Sequence, residues 1–215
     1  RGYVVFNINY RLVPDVTVNQ QLQDVARALR WIRDHGSQYP CDMQNIMLTG
    51  DSAGGQLAAY SAVLMQSAQL RKTFDTVDPQ MELTALLLTS PVAFMRDGGL
   101  FSLYTKPMWG TDYKDKATYP YMDFDQIIDY AQALPPTYLI TSSGDTLANK
   151  QTHRLYEVLQ AHGVQAEIKD YAKAEYNQSL PHVFSVLQPF EPAGTAAIDK
   201  ALAFYQQAMT AKAAQ

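Results

Sequence analysis

Gly50-Asp51-Ser52-Ala53-Gly54-Gly55 constrains this chain more than any other stretch. It follows the apolar run Ile46-Met47-Leu48, which reads as a short buried strand, and precedes Leu57, Leu64 and Ala68, which recur at helical spacing. A G-x-S-x-G sequence between a strand and a helix describes a sharp turn with the serine at its apex, and glycines there avoid collisions with neighbouring backbone. Ser52 is therefore a candidate nucleophile, on a turn shaped by Gly50, Asp51, Gly54 and Gly55. A glycine-rich turn with a chance serine is the competing reading, and the strand before and the helix after speak against it.

The elements around this turn alternate as in an α/β fold with a mostly parallel sheet and helices on both faces. Tyr3-Val4-Val5-Phe6-Asn7-Ile8 reads as a strand, and Leu22, Val25, Ala26, Leu29 and Ile32 mark a helix ending near Gly36. Strand 45–49, the serine turn and a helix to about Leu70 follow, then a polar stretch over 71–80 and a strand over 83–89. A strand over 137–141, a helix from Asn149 to a Gly163 stop and a strand over 166–171 resume the alternation. An irregular loop over 172–191 and a helix over 195–211 close the chain.

Between these halves the segment at about 92–134 breaks the pattern. It carries Phe94, Phe101, Tyr104, Trp109, Tyr113, Tyr119, Tyr121, Phe124 and Tyr130, interrupted by Gly98-Gly99, Pro107 and Pro120, and only 124–133 has helical character. So long an excursion beside the serine strand is placed to act as a cap or specificity wall. Packing the segment's own small core is an equally good account of any single aromatic.

At 215 residues the chain suits a single catalytic domain with this inserted cap. A net charge of −4 leaves no basic excess for nucleic acid or an anionic membrane. The apolar runs are too short to span a bilayer and no signal segment opens the chain, so a cytoplasmic protein is expected. Homo-oligomerisation stays open. Cys41, the single cysteine, allows neither an internal disulfide nor a cysteine-rich metal site and is expected to pack or lie in a loop.

A serine hydroxyl needs a base, and the base needs a partner that fixes its tautomer. His35 and His162 precede Gly36 and Gly163 at helix ends, and His153 lies within a helix. His182, in the long loop after a strand, is free to reach a site at the C-terminal ends of the strands. Asp145 follows strand 137–141 directly and is the preferred acid, although it could instead cap the next helix. Asp170 is the runner-up; Asp123, Asp125 and Asp129 fall in the cap. The order Ser52, Asp145, His182 is that of one triad fold.

With these residues in place, the chain resembles the α/β-hydrolases, and within them the hormone-sensitive-lipase-like esterases. The elbow Gly50 to Gly55 matches that family's spelling, and Tyr10-Arg11-Leu12-Val13-Pro14 with Leu22-Gln23-Asp24 resembles its Y-R-L-A-P and A-L-x-D elements. Where the family writes D-P-L-x-D, this chain has Asp145-Thr146-Leu147-Ala148-Asn149, so Asn149 replaces a second acid. The resemblance implies hydrolysis of small, fairly apolar esters through Ser52, His182 and Asp145, with the Ala53 N–H in the oxyanion hole and neither metal nor organic cofactor. It also implies an H-G-G-G type loop ahead of the elbow and a strand leading into it. Neither is in this sequence, and Gly98-Gly99 comes too late to replace the loop. The natural protein is therefore expected to be longer at its N-terminus. An amidase or peptidase with the same triad, or a non-catalytic binding protein of this fold, are the alternatives.

Overall fold

The computed structural model describes residues 1–96 and 103–214. Its four strands form one sheet, all parallel and in chain order: β1 (Met47–Asp51), β2 (Ala85–Thr89), β3 (Thr137–Ser142) and β4 (Ala166–Tyr171). The register pairs Asp51 with Thr89, Thr89 with Ile140 and Ser142 with Tyr171. Parallel pairing therefore delivers the residues after all four strands to the same end of the sheet.

The chain forms two compact units. The sheet belongs to the one made of Met47–Ala59, Leu83–Ala93 and Ala133–Gln215. In it, the closing helix α8 (Pro192–Ala213) sets Ala193, Ala197, Ala201, Phe204 and Tyr205 in one apolar cluster with Ala85, Tyr138, Ile140 and Tyr171 of the strands. Alanines four residues apart lie on one helical face and let the helix backbone approach closely. Helix α5 (Asn149–Ala161) packs on β3 and β4 and buries Leu155 and Leu159. Leu86, Leu88 and Leu139 alternate with the residues in the α8 cluster and are also buried, so the middle strands are covered on both faces, as parallel strands require.

The other unit comprises Arg1–Ile46, Tyr60–Glu82 and Phe94–Gln132. Helix α1 (Val18–His35) buries Val18, Leu22, Val25, Ala26, Leu29 and Ile32 at the spacing read from the sequence, and the Gln20 side chain accepts the Thr17 N–H at its start, at 2.9 Å. The Arg11 guanidinium makes a two-pronged contact with Asp24, Nε to Oδ2 at 2.9 Å and Nη2 to Oδ1 at 2.8 Å, so two of the quoted sequence elements are joined in space. Fully buried Tyr60 packs against Phe74 and Phe124 and donates its hydroxyl to the Tyr121 carbonyl at 3.1 Å. Asp123 Oδ1 accepts the N–H groups of Met95 and Arg96, at 2.6 and 3.0 Å, tying the start of the aromatic excursion to its middle. Phe94, Trp109 and Phe124 are buried, whereas Tyr104 is exposed.

Several expectations need correction. Residues 3–8 are not a strand: no described strand forms a ladder with them, and Tyr3, Val4 and Val5 lie at the surface. Apolar composition favours a strand, but a strand exists only with a ladder partner. Nor does any described strand pair with the outer edge of β1. The serine helix α2 (Ala53–Gln66) stops before Ser67, whose Oγ accepts the Leu70 N–H at 3.2 Å and starts a new helix, α3 (Ala68–Phe74), which runs on into the expected polar stretch over 71–80.

The expected helix over 124–133 is two 3₁₀ turns, Phe124–Gln126 and Ile128–Tyr130, while α4 (Thr105–Trp109) forms around Pro107. A proline in the first turn of a helix removes no intrahelical bond. The loop over 172–191 contains α6 (Lys173–Tyr176) and α7 (Phe184–Leu187), and β1 begins at Met47 rather than Asn45. Gly98, Gly99 and Phe101 lie outside the described residues. Among those described, no helix is long and apolar enough to cross a membrane.

Leu139 on the central strand β3 is fully buried. Leu139→Ala is expected to destabilise the protein by about 2–5 kcal/mol. Urea unfolding monitored by circular dichroism measures this, with exposed Glu167→Ala as the comparison.

Candidate active site

Strand β1 ends at Asp51, and the next residue turns the chain sharply. Ser52 has φ +51°, in the left-handed region that non-glycine residues seldom occupy. Its N–H donates to the Thr89 carbonyl at 2.9 Å, and its carbonyl accepts the N–H groups of Gln56 and Val92 at 3.1 and 3.2 Å. The glycines are needed for close approach. A Cβ on Gly50 would run into the Gly54 carbonyl, and one on Gly55 would lie 3.0 Å from Pro91 Cβ. Ala53 is the first residue of α2, so its N–H has no intrahelical acceptor and sits at the positive end of the helix.

His182 comes from the loop after β4. The Phe184 N–H donates to the Pro181 carbonyl at 3.0 Å, closing a turn in which Val183 takes φ +51°. A β-branched residue in that region is strained and is held there by its surroundings. The turn points His182 Nε2 at Ser52 Oγ, 2.8 Å away, and Nδ1 at Asp145 Oδ2 and Oδ1, at 3.0 and 3.1 Å. A carboxylate only accepts, so Nδ1 carries the proton of the neutral ring, and Nε2 is left to accept from the serine hydroxyl.

Asp145 lies in the turn between β3 and α5. Its Oδ1 also accepts the N–H groups of Leu147 and Ala148, at 3.0 and 2.9 Å, which closes the turn ahead of α5; the helix itself starts after Ala148 with no side-chain cap, so the competing cap role is not realised. Two contacts fasten this turn to the histidine loop: Ser142 Oγ donates to the Leu180 carbonyl at 2.6 Å, and a Cβ on Gly144 would lie 2.6 Å from that oxygen. The Asp145 side chain is fully buried and that of His182 is 22% exposed. Burial alone would push the Asp145 carboxyl up. The hydrogen bonds from His182 and the Ala148 N–H, the nearby Ser90 hydroxyl and the charge of His182 outweigh it and hold the pKa below its ordinary value.

The other candidates fall elsewhere. Asp170 Oδ2 accepts from Asn149 Nδ2 and faces His153 Nε2, both at 2.9 Å, and is not the partner of His182. His35 Nδ1 faces the Trp31 carbonyl at 2.9 Å and His162 Nδ1 the Val158 carbonyl at 2.7 Å, as expected for histidines at helix ends. Cys41 is half-buried, its thiol 3.3 Å from the Gly36 carbonyl. Among the described residues no three His, Cys, Asp or Glu side chains gather as a metal site would need.

Sequence reasoning missed Ser90, which is buried, has φ +46° and follows β2 beside the serine turn. Its hydroxyl lies near Asp145 without the geometry of a full hydrogen bond. The Ser90-Pro91 step at the end of an apolar run was the available signal.

Residues 1–179 match the model of a family described as having the alpha/beta hydrolase fold. The probable carboxylic ester hydrolase LipM of Mycobacterium tuberculosis is 27% identical over 207 residues, 94% of this chain and 47% of that protein. An acetyl esterase of Salmonella choleraesuis is 25% identical over 185 residues, 79% of this chain and 54% of the relative. This chain therefore spans about half the length of these curated relatives. Among solved structures, an inhibited esterase B from Lactobacillus rhamnosis superposes with a TM-score of 0.85 at 29% identity, over 95% of this chain and 67% of that one.

Two outcomes follow from this geometry. Gly50→Ala forces backbone apart at the turn and is expected to destabilise the protein by about 1–3 kcal/mol, which thermal melting detects. The second concerns acid. The folded pKa of Asp145 lies below 3.8, so its contribution to stability is complete above the unfolded carboxyl range and is lost as pH falls through the folded value. Wild type and Asp145→Asn melted at a series of pH values from about 6 to 2 should therefore differ most near the top and converge towards the bottom.

Proposed function

Since the chain belongs to the α/β-hydrolase fold family, in its hormone-sensitive-lipase-like branch, we propose that it is the catalytic part of a serine carboxylester hydrolase. The observation that carries this reading is the run of contacts from Ser52 Oγ to His182 Nε2 and from His182 Nδ1 to Asp145. In the proposed reaction His182 Nε2 takes the proton of Ser52 as Oγ attacks the ester carbonyl, and Asp145 stabilises the imidazolium that forms. The Ala53 N–H donates to the oxyanion. His182 then protonates the leaving alcohol, and a water activated by the same imidazole releases the acid from Ser52. These steps use three side chains, one backbone N–H and water.

Small, fairly apolar esters are the proposed substrates. The names of the acetyl esterase and of esterase B support a carboxylic ester. Amides share the same mechanism up to the leaving group, so the test must include them.

The protein is offered matched chromogenic esters and anilides with short acyl chains, and is treated with a serine-reactive phosphonate. Esters should be cleaved much faster than anilides, with the label on Ser52. Ser52→Ala should abolish both hydrolysis and labelling, and His182→Ala should lose about 10³-fold or more in kcat. Undiminished turnover by Ser52→Ala, or a label on another serine, would sink the proposal.

A further inference from the structure

Asn149, the first residue of α5, turns its side-chain amide back on the strand before it. Nδ2 donates to the Ser142 carbonyl and to Asp170 Oδ2, both at 2.9 Å. The Ser142 carbonyl also accepts the Asp145 N–H at 3.0 Å, and the Asp145 carbonyl accepts the Asn149 N–H at 3.3 Å. The turn that carries Asp145 is thus closed on itself, and its far end is anchored to β4 through Asp170. His153, one helical turn beyond Asn149, holds the same Asp170 oxygen at 2.9 Å.

We infer that Asn149, braced by Asp170 and His153, is a positioning residue that fixes the Asp145 turn against His182. The chemistry of the two acceptors makes the amide specific. An asparagine offers two N–H hydrogens, and here both meet oxygens, one of a carbonyl and one of a carboxylate. An aspartate in the same place would set lone pairs against both and bring two carboxylates within hydrogen-bonding distance of each other. This is a physical reason for the departure from D-P-L-x-D: with Asp170 opposite, an acid at 149 would push the turn open. A shift of about 1 Å in the acid's turn is enough to change turnover without touching substrate contacts.

The kinetic consequence rests on the hydrolase reading, while the geometry can be read without turnover. Asn149→Asp, Asp170→Asn and the double variant are compared with wild type in the intact protein. In Asn149→Asp, kcat on a short-chain chromogenic ester should fall about tenfold with KM within about twofold. The low-field proton resonance of His182 Nδ1–H, hydrogen-bonded to Asp145, should broaden or vanish.

Asp170→Asn keeps an acceptor for both donors and should lose less, and the double variant should recover part of the loss by removing the second carboxylate. Asn149→Asp with an unchanged His182 resonance and an unchanged kcat would overturn the inference, even if its melting temperature fell. Wild-type turnover by Ser52→Ala would overturn the hydrolase reading instead, and the resonance would still decide this one.

Discussion

A serine held at φ +51° between a strand and a helix is the constraint on which the rest of the sheet unit depends. Such a residue costs on the order of 1–3 kcal/mol and persists only where the surroundings over-determine it. Here they do so through ordinary backbone chemistry. The parallel register sets Thr89 beside Asp51, so the Thr89 carbonyl meets the Ser52 N–H, and the chain leaving β2 returns the Val92 N–H to the Ser52 carbonyl. The Gly50 and Gly54 backbones then approach more closely than any side chain would allow. A parallel sheet thus does more than carry the turn: its second strand holds the first one's exit in a conformation that the turn would not keep alone.

The same end of the sheet receives the other two members of the group, and each arrives on a loop that needs the other. The Ser142 hydroxyl and the close pass of Gly144 fix the acid's turn to the Leu180 carbonyl, two residues before His182. A buried carboxylate is unfavourable unless its lone pairs are filled, and Asp145 fills them with two backbone N–H groups and the imidazole. Desolvation and hydrogen bonding oppose each other at this group, and the lowered pKa says that hydrogen bonding prevails. The His182 tautomer follows from that balance.

Much of this was legible in the sequence because it depended on local chemistry. The glycine turn, the α1 face, the boundaries of β4 and the stop at Gly163, with φ +72°, are each set by neighbouring residues. What failed depended on partners distant in sequence. Residues 3–8 have strand composition and no ladder, and the 124–133 pattern has helical spacing but breaks into 3₁₀ turns. The group around Ser52 was legible from chain order and strand ends, whereas Ser90 was not, because its position depends on where the end of β2 lies relative to the turn after β3. Arg11 and Asp24 stand thirteen residues apart in separate sequence elements, and only the fold makes them a pair.

Two histidine–aspartate pairs stand in the same unit with nearly equal contact distances, 2.9 Å for His153 and Asp170 against 3.0 Å for His182 and Asp145. Distance therefore does not separate their roles; environment does. The side chains of His153 and Asp170 are 43% and 31% exposed, in a setting where a pair contributes about 0–1 kcal/mol and water competes for every donor. Asp145 is wholly enclosed, so its preference for one imidazole tautomer is not diluted by solvent, and the second ring nitrogen of His182 has Ser52 in front of it. The ring of His153 ends at Asp170, and that carboxylate answers to Asn149. One pair thus faces a serine hydroxyl and the other an asparagine amide, from the same two residue types set in different surroundings.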